Sequence, residues 1–96
     1  MTDQELADEL VAAGIGQTAA PPNEHLYLPM AAPVTVEMFV RDWRVSGAAT
    51  EKVDSLYIDK LSDGHWEVQA ILNTMPTELM VDKSLPRAIN MACMAA

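Results

Sequence analysis

The stretch SLYIDKLSDGHWEVQAILN, residues 55–73, constrains the fold of this chain more than any other feature of its sequence. On both sides of SDG, apolar and polar residues alternate. A period of two is typical of strands, and Ser, Asp and Gly together favour a tight turn. The pattern predicts an antiparallel hairpin with strands at 55–60 and 65–72.

The register of this hairpin depends on which side chains share a face. Directly opposed residues point the same way, so Leu56 and Ile58 join Val68 on one face only if the loop has an odd number of residues. A three-residue loop at 62–64, with Gly64 in the left-handed conformation, meets this condition. A two-residue turn would gain an exposed ion pair, worth under ~1 kcal/mol, but lose the burial of Ile58, worth about 2 kcal/mol. We therefore expect the three-residue loop.

Three segments carry apolar residues at helical spacing, and we expect helices at about 3–13, 35–52 and 85–95. The first helix begins with Thr2 and Glu5, which match a capping box. The middle helix is expected to direct four residues toward the core: Val36, Phe39, Val40 and Trp43. Together with the hairpin, these segments predict an α+β fold in which three helices sandwich a small antiparallel sheet of two or three strands.

The last segment, SLPRAINMACMAA at 84–96, is small and apolar. Ser84 precedes it as an N-cap, and Pro86 occupies the first turn, where its missing N–H costs little. The face expected on the sheet consists of Leu85, Ala88, Ile89 and Ala92. Because alanines bury little area, we expect this helix to be a lid over the hairpin and the least stable element unless a partner covers it.

Two segments stay open to more than one interpretation. The Pro-rich connecting segment at 17–34 shows little helical pattern, and 25–28 within it has the alternation of a short extended piece. The segment 77–82 is either a third strand or one helical turn after Pro76. At 96 residues, the chain has the length of a single domain, 1–96.

The charge of the chain argues against some classes of partner. It has 14 acidic residues against 6 basic ones, a net charge of −8. Direct binding to nucleic acid or to an anionic membrane needs clusters of Lys and Arg, so we expect neither. An acidic surface suits solubility, a basic protein partner or mimicry of nucleic acid.

The sequence also bears on the compartment. Its one cysteine, Cys93, permits no disulfide within the chain, which fits a reducing environment. The acidic start MTDQELADEL is unlike a signal peptide, and no apolar run approaches the roughly 20 residues that span a bilayer. We expect a soluble, intracellular protein.

Four features stand together in this chain: the acidic opening TDQELADELVAAGIG, the Trp-bearing FVRDWRVSGAATEKV, the aromatic strand HWEVQAIL and the closing SLPRAINMACMAA. Together they resemble the phage ABA sandwich domain, a family of small phage and prophage proteins. The resemblance covers the chain from Thr2 to Ala96, except for the Pro-rich segment. It implies helices on both faces of a small antiparallel sheet and residence in the cytoplasm of a bacterial host. It implies no reaction.

The sequence has no constellation typical of catalysis, cofactor binding or metal binding. The two histidines, His25 and His65, have no Cys or second His at ligand spacing. Asp63, close to His65, fits turn chemistry. Cys93 lies on the apolar side of a helix without a neighbouring His, as a buried thiol of high pKa does. We predict that the protein is not an enzyme and has no cofactor, no metal and no reactive thiol.

The methionines offer a better clue to function. Met80, Met91 and Met94 fall in the last quarter of the chain, and the last two lie off the predicted core face. Methionine fills gaps at the edge of a core and also forms adaptable binding surfaces. These three residues therefore either complete the core or form an interaction patch for another protein, including a second copy of this chain.

Acidic residues around the hairpin define a second candidate surface. Its members are Asp54, Asp59, Asp63 and Glu67. Two functional hypotheses follow from the two surfaces. The first is a non-enzymatic phage or prophage accessory protein that binds another protein. The alternative is an acidic inhibitor of a host nucleic-acid enzyme, of the anti-CRISPR or anti-restriction type, which mimics nucleic acid.

Overall fold

The computed structural model describes residues 1–18, the backbone of residues 27 and 28, and residues 33–96. Its helices are α1 (Asp3–Ala12), α2 (Val36–Phe39), α3 (Trp43–Thr50) and α4 (Leu85–Ala95). Its strands are β1 (Gln17–Thr18), β2 (Tyr27–Leu28), β3 (Ser55–Lys60), β4 (Trp66–Leu72), β5 (Met75–Pro76) and β6 (Met80–Asp82). The fold is α+β with a small antiparallel sheet, which confirms the predicted class.

The hairpin of β3 and β4 has the predicted register. Ile58 lies opposite Val68 in the antiparallel pair. The amide of Leu61 donates to the carbonyl of His65 over 2.8 Å, which leaves a loop of three residues, and Gly64 has a φ of +91°. The second strand begins at Trp66, one residue later than predicted.

The burial that we expected for Ile58 is wrong, although the register that it favoured is right. Ile58 is 42% exposed. The cause is its position on β3, an edge strand, because the helices contact the sheet through β4 and β6. The register instead buries Val68 and Ala70 of the neighbouring strand completely.

The segment 77–82 contains a strand, the first of its two interpretations. β6 pairs antiparallel with β4 and sets Met80 opposite Val68, while β5 sets Pro76 opposite Ile71. Along β4 these two pairs are three residues apart, but along the opposite chain they are four apart. The extra residue is a β-bulge, and Pro76 stands on the outer strand, where a missing N–H is tolerated.

The Pro-rich segment is described in part. β1 and β2 pair antiparallel, with Gln17 opposite Leu28. The extended piece predicted at 25–28 therefore includes a strand at 27 and 28, and 25–26 lie outside the described residues.

Local chemistry sets both ends of α1. The Thr2 hydroxyl accepts a hydrogen bond from the Glu5 amide over 3.1 Å, and the Glu5 carboxylate accepts one from the Thr2 amide over 3.0 Å. This is the predicted capping box. At the other end, Gly14 has a φ of +83°, and the amide of Ile15 donates to the carbonyl of Leu10 over 2.9 Å. That Schellman motif ends the helix one residue earlier than predicted.

The prediction of one continuous helix at 35–52 is wrong. The helical segment is interrupted at 40–42 and begins again as α3. The carboxylate of Asp42 accepts a hydrogen bond from the amide of Arg44 over 2.8 Å and so caps the new helix. An aspartate in the middle of a helical pattern can end one helix and start another, because its side chain competes for backbone amides.

A residue distant in the sequence stabilises this interruption. The side-chain amide of Asn90, fully buried in α4, donates to the carbonyl of Val40 over 3.0 Å. The break leaves that carbonyl near a helix end, where it needs a partner. Beyond the break, Trp43 is 61% exposed, so its prediction as a core residue is wrong, whereas Phe39 and Val40 are buried as expected.

α4 has the predicted bounds but a different place in the fold. It packs against α1, α3, β4 and β6, and its small residues Ala88 and Ala92 are fully buried. Even Arg87 is only 7% exposed. The expected lid is therefore the central element of the core, because small side chains let four neighbours approach its axis. Such burial does not fit a helix of least stability.

The core contacts one face of the sheet. Val68 and Ala70 point toward α4 and belong to the buried core. On the opposite face, Tyr57 and Val81 are each nearly half exposed. The main helix contacts with this sheet are those of α4 against β4 and β6.

Candidate functional site

The three methionines of the predicted interaction patch line one pocket. Met80 comes from β6, and Met91 and Met94 come from α4. Met1, Glu9 and Ala95 complete the lining of a cavity with a volume of about 280 Å³. We call this cavity the methionine pocket. The structure thus brings together all three residues that the sequence singled out.

Helical spacing and strand alternation explain why these side chains meet. Met91 and Met94 are three residues apart on α4 and so lie on the same side of the helix. Met80 lies opposite Val68 and shares its face of the sheet, the face that α4 covers. All three are half-buried and also pack against the core. They therefore close the edge of the core and at the same time form the wall of a cavity.

A buried arginine lies directly behind this wall. The guanidinium of Arg87 donates to Asp3 over 2.8 Å, to Asp82 over 2.7 Å and to the Met1 carbonyl over 2.8 Å. A further contact of 3.1 Å joins its Nη1 to the sulfur of Met91. These contacts tie the start of α1, the end of β6 and the first turns of α4 together. The same three elements carry the pocket lining.

The charges of this cluster compensate one another through ion pairs among its own residues. Asp3 receives a second ion pair from Arg41 over 2.9 Å. Partial burial works against ionisation of Asp3, but the hydrogen bonds from Arg41 and Arg87 outweigh it and hold its pKa below the ordinary value. Burial likewise opposes the charge of Arg87, and its bonds to Asp3 and Asp82 raise its pKa all the same. The cluster is a structural joint held by ion pairs.

Glu9 differs from the charged groups of that cluster. It is exposed on α1 and is the single charged side chain that lines the methionine pocket. Within the described part of the chain, no ion pair involves Glu9. The pocket can therefore take an apolar group and still offer a carboxylate at its edge.

The four acidic residues around the hairpin do not share one environment. Asp59 and Glu67 lie directly opposite each other on β3 and β4. The negative charge of Asp59, with burial and the charge of Glu67 as further causes, raises the pKa of the nearby Tyr57. These three side chains lie on the open face of the sheet.

The other two acids serve in turns at opposite ends of the hairpin. Asp63 accepts a hydrogen bond from the amide of His65 over 3.0 Å, and this bond lowers the pKa of Asp63. Asp54 accepts one from the amide of Asn73 over 2.8 Å. Of the four residues predicted to form an acidic surface, two are therefore an opposed pair on the sheet, and the other two accept hydrogen bonds from backbone amides in turns.

The described residues considered for catalysis or metal binding are Cys93, which lies in the core, and His65, which lies at the hairpin turn. Cys93 is 4% exposed, and burial raises the pKa of its thiol to about 11. His65 Nδ1 lies 3.1 Å from the carboxylate of Asp63, and His25 lies outside the described residues. Among the residues that the structure covers, no three His, Cys, Asp or Glu side chains come together as a metal site. No helix in this part of the chain has the length and apolar character needed to cross a membrane.

Sequence reasoning missed two features of the surface and core. The first is the Arg87 cluster, for which the available signal was a single arginine inside an otherwise small and apolar helix. The second is a shallow groove of about 590 Å³ around the exposed Trp43 and Met38. Nothing local reveals this groove, because the sequence places Trp43 on the same helical face as buried residues.

Comparisons of the chain with protein-family models, with curated proteins and with solved structures find no match. The resemblance to the phage ABA sandwich family therefore stays a prediction from the sequence.

Proposed function

We propose that this chain is a non-enzymatic phage or prophage accessory protein that acts in the cytoplasm of a bacterial host by binding another protein. The methionine pocket is its docking site. The observation that carries the proposal is the convergence of Met80, Met91 and Met94 on one apolar cavity. The phage or prophage origin and the bacterial cytoplasm rest on the sequence resemblance alone.

The pocket suits an inserted protein side chain better than a cofactor. Its volume of about 280 Å³ lies just below the roughly 300–1,000 Å³ of sites for drug-sized ligands. Most of its lining is thioether and methyl surface, with few groups that could orient a polar ligand. Flexible methionine side chains adapt to the shape of a bound group, and methionine is enriched at protein interfaces.

The alternative function, mimicry of nucleic acid, has less support. A mimic needs many acidic groups on one continuous surface. Asp54 and Asp63 instead bond to backbone amides at opposite ends of the hairpin. The opposed pair of Asp59 and Glu67 is too small a cluster to imitate a phosphate backbone.

The pocket can be tested with a double substitution. Met91→Glu with Met94→Glu places two charges in the cavity wall, and we expect it to weaken partner binding at least tenfold, because apolar anchors dominate interfaces. The matched control is Met38→Glu with Met75→Glu, since both residues are mostly exposed and lie outside the pocket. Proteins captured from host lysate, followed by affinity measurement of each, provide the readout.

Selective loss of one captured partner in the pocket variant, with retention in the control, supports the proposal. If the captured partner is a second copy of this chain, sedimentation velocity will report a dimer that the pocket variant lacks. Equal binding by both variants contradicts the proposal. Where circular dichroism shows that the double variant is unfolded, Met94→Gln alone repeats the comparison with a milder change.

A further inference from the structure

The methionine pocket has a one-sided charge distribution. Among the described residues, Glu9 is the only lining residue with a charged side chain, and α1, which carries it, has four acidic residues and no basic one in DQELADELVA. The other acids of that helix have hydrogen-bond or ion-pair partners. Asp3 pairs with two arginines, Glu5 caps the helix, and Asp8 accepts a hydrogen bond from Gln4 over 2.9 Å. Glu9 is the acid of this helix that lines the cavity.

Several positive groups of the described chain have contacts elsewhere. Arg87 pairs with Asp3 and Asp82 behind the wall, and Arg44 pairs with Asp42 outside it. Lys60 lies over the Trp66 ring, 5.3 Å from its centroid. The terminal amino group acts on Glu5 and has no ion pair with Glu9. Among the described residues no cationic side chain lines the cavity, and the Glu9 side chain would repel an acidic partner there.

Resting on the proposed function, we infer that the partner segment is basic. It inserts an apolar side chain between Met80, Met91 and Met94 and pairs a neighbouring Lys or Arg with Glu9. The two recognition elements are complementary, because the cavity removes apolar surface from water while the carboxylate at its edge selects the charge of the flanking residue. The net charge of −8 adds long-range attraction for a basic segment.

Two synthetic peptides test this inference directly. Both have leucines at helical spacing; in one the remaining positions are Lys, and in the other they are Glu. The readout is the NMR shift of the methionine methyl groups during titration at physiological salt. Met80, Met91 and Met94 report on the pocket, and the exposed Met38 and Met75 report on nonspecific contact.

We expect the Leu–Lys peptide to shift the three pocket methyl groups selectively and the Leu–Glu peptide to bind at least tenfold more weakly. Glu9→Gln should then reduce the affinity for the Leu–Lys peptide by about two- to fivefold, the range that a solvent-exposed ion pair supplies. Glu51→Gln is the matched control, because it removes the same charge from an exposed position outside the pocket.

The outcomes separate this inference from the proposal on which it rests. If both peptides shift the pocket methyl groups with equal affinity, the pocket binds protein segments but the basic partner is wrong. Equal effects of Glu9→Gln and Glu51→Gln also overturn the role of Glu9 and leave the pocket intact. If neither peptide shifts the pocket methyl groups at concentrations up to 1 mM (about −4 kcal/mol of binding), both the inference and the docking role of the pocket fail.

Discussion

Helices α3 and α4 have similar apolar sequence patterns but opposite surroundings. α4 is buried on nearly all sides and includes Arg87 and Asn90 among its buried residues. α3 presents Trp43 to solvent at its first turn and leaves open space around Gly47. An arginine, which is usually exposed, is thus buried, and a tryptophan, which is usually buried, is exposed. Burial in this protein follows from which neighbours can satisfy or cover a side chain rather than from its hydrophobicity alone.

The buried arginine is tolerated because nearby groups accept most of its hydrogen bonds. Its partners are two carboxylates, a backbone carbonyl and a thioether sulfur. A buried charge without such partners costs several kcal/mol, so the cluster is stable only as a whole. The exposed Trp43 faces no comparable constraint, and its neighbourhood includes an arginine whose ion pair is open to water.

The largest expected effect comes from Arg87→Ala. We expect a loss of about 3–5 kcal/mol in the free energy of unfolding, because the substitution leaves Asp3 and Asp82 partly buried without this ion-pair partner. Arg44→Ala is the matched control and should cost less than ~1 kcal/mol, since the Arg44 side chain is 47% exposed whereas Arg87 is buried. Urea unfolding followed by far-UV circular dichroism measures both. Equal losses would show that burial does not distinguish the two arginines.

Acid pH should weaken the same cluster. The folded-state pKa of Asp3 is lowered by its arginine partners, although burial opposes this, so ionised Asp3 stabilises the fold above its unfolded pKa of about 4. That contribution is lost as the pH falls through the lowered folded-state pKa. At pH 7, Asp3→Asn should cost roughly 1.5–3 kcal/mol, the range for a hydrogen bond to a charged group.

The difference between wild type and Asp3→Asn should therefore shrink as the pH approaches 2. Urea midpoints measured between pH 7 and pH 2 for both proteins provide the check. A difference that stays constant over this range would mean that Asp3 acts through packing and not through its charge.

Gly47→Ala tests the open side of α3 and should stabilise the protein by about 0.5–1 kcal/mol. A Cβ at this position meets no atom within 4 Å, and alanine loses less backbone entropy in a helix than glycine does. Gly64→Ala is the control and should destabilise, because φ at Gly64 is +91°. Thermal unfolding of the two variants should shift in opposite directions.

Trp43→Ser should have the smallest effect, within about 0.5 kcal/mol of wild-type stability, because the side chain is mostly in water. The buried Phe39 provides the contrast, and Phe39→Ala should cost about 3–5 kcal/mol. If Trp43→Ser destabilises the protein as much as Phe39→Ala does, the indole is buried in the core, as the continuous helix predicted from the sequence requires. Denaturant unfolding of both variants decides between these outcomes.

Local patterns were sufficient for much of the fold. Period-two alternation and Gly64 predicted the hairpin and its register, and the capping box at Thr2 and Glu5 predicted the start of α1. Ser84 and Pro86 likewise predicted the first turn of α4. In each case the residues that determine the structure are close together in the chain or directly paired across one short loop. The local sequence pattern is therefore sufficient to predict the element.

The candidate site was accessible from the sequence only in part. The methionines could be singled out by type and position, but their meeting in one cavity depends on α1 and β6 packing against α4. Glu9 lines the same cavity only through that packing. Composition therefore indicated a surface, and three-dimensional contacts supplied its shape and its charge.

Tertiary contacts decided the remaining features because their determinants are far apart in sequence. Arg87 and Asp3 are separated by 84 positions, and Asn90 reaches the carbonyl of Val40 across 50. Helical periodicity carries no information about such partners, so it predicted an uninterrupted helix with Trp43 inside. The folded chain instead ends α2 where Asp42 can cap a new helix and Asn90 can satisfy the freed carbonyl, and Trp43 is left in water.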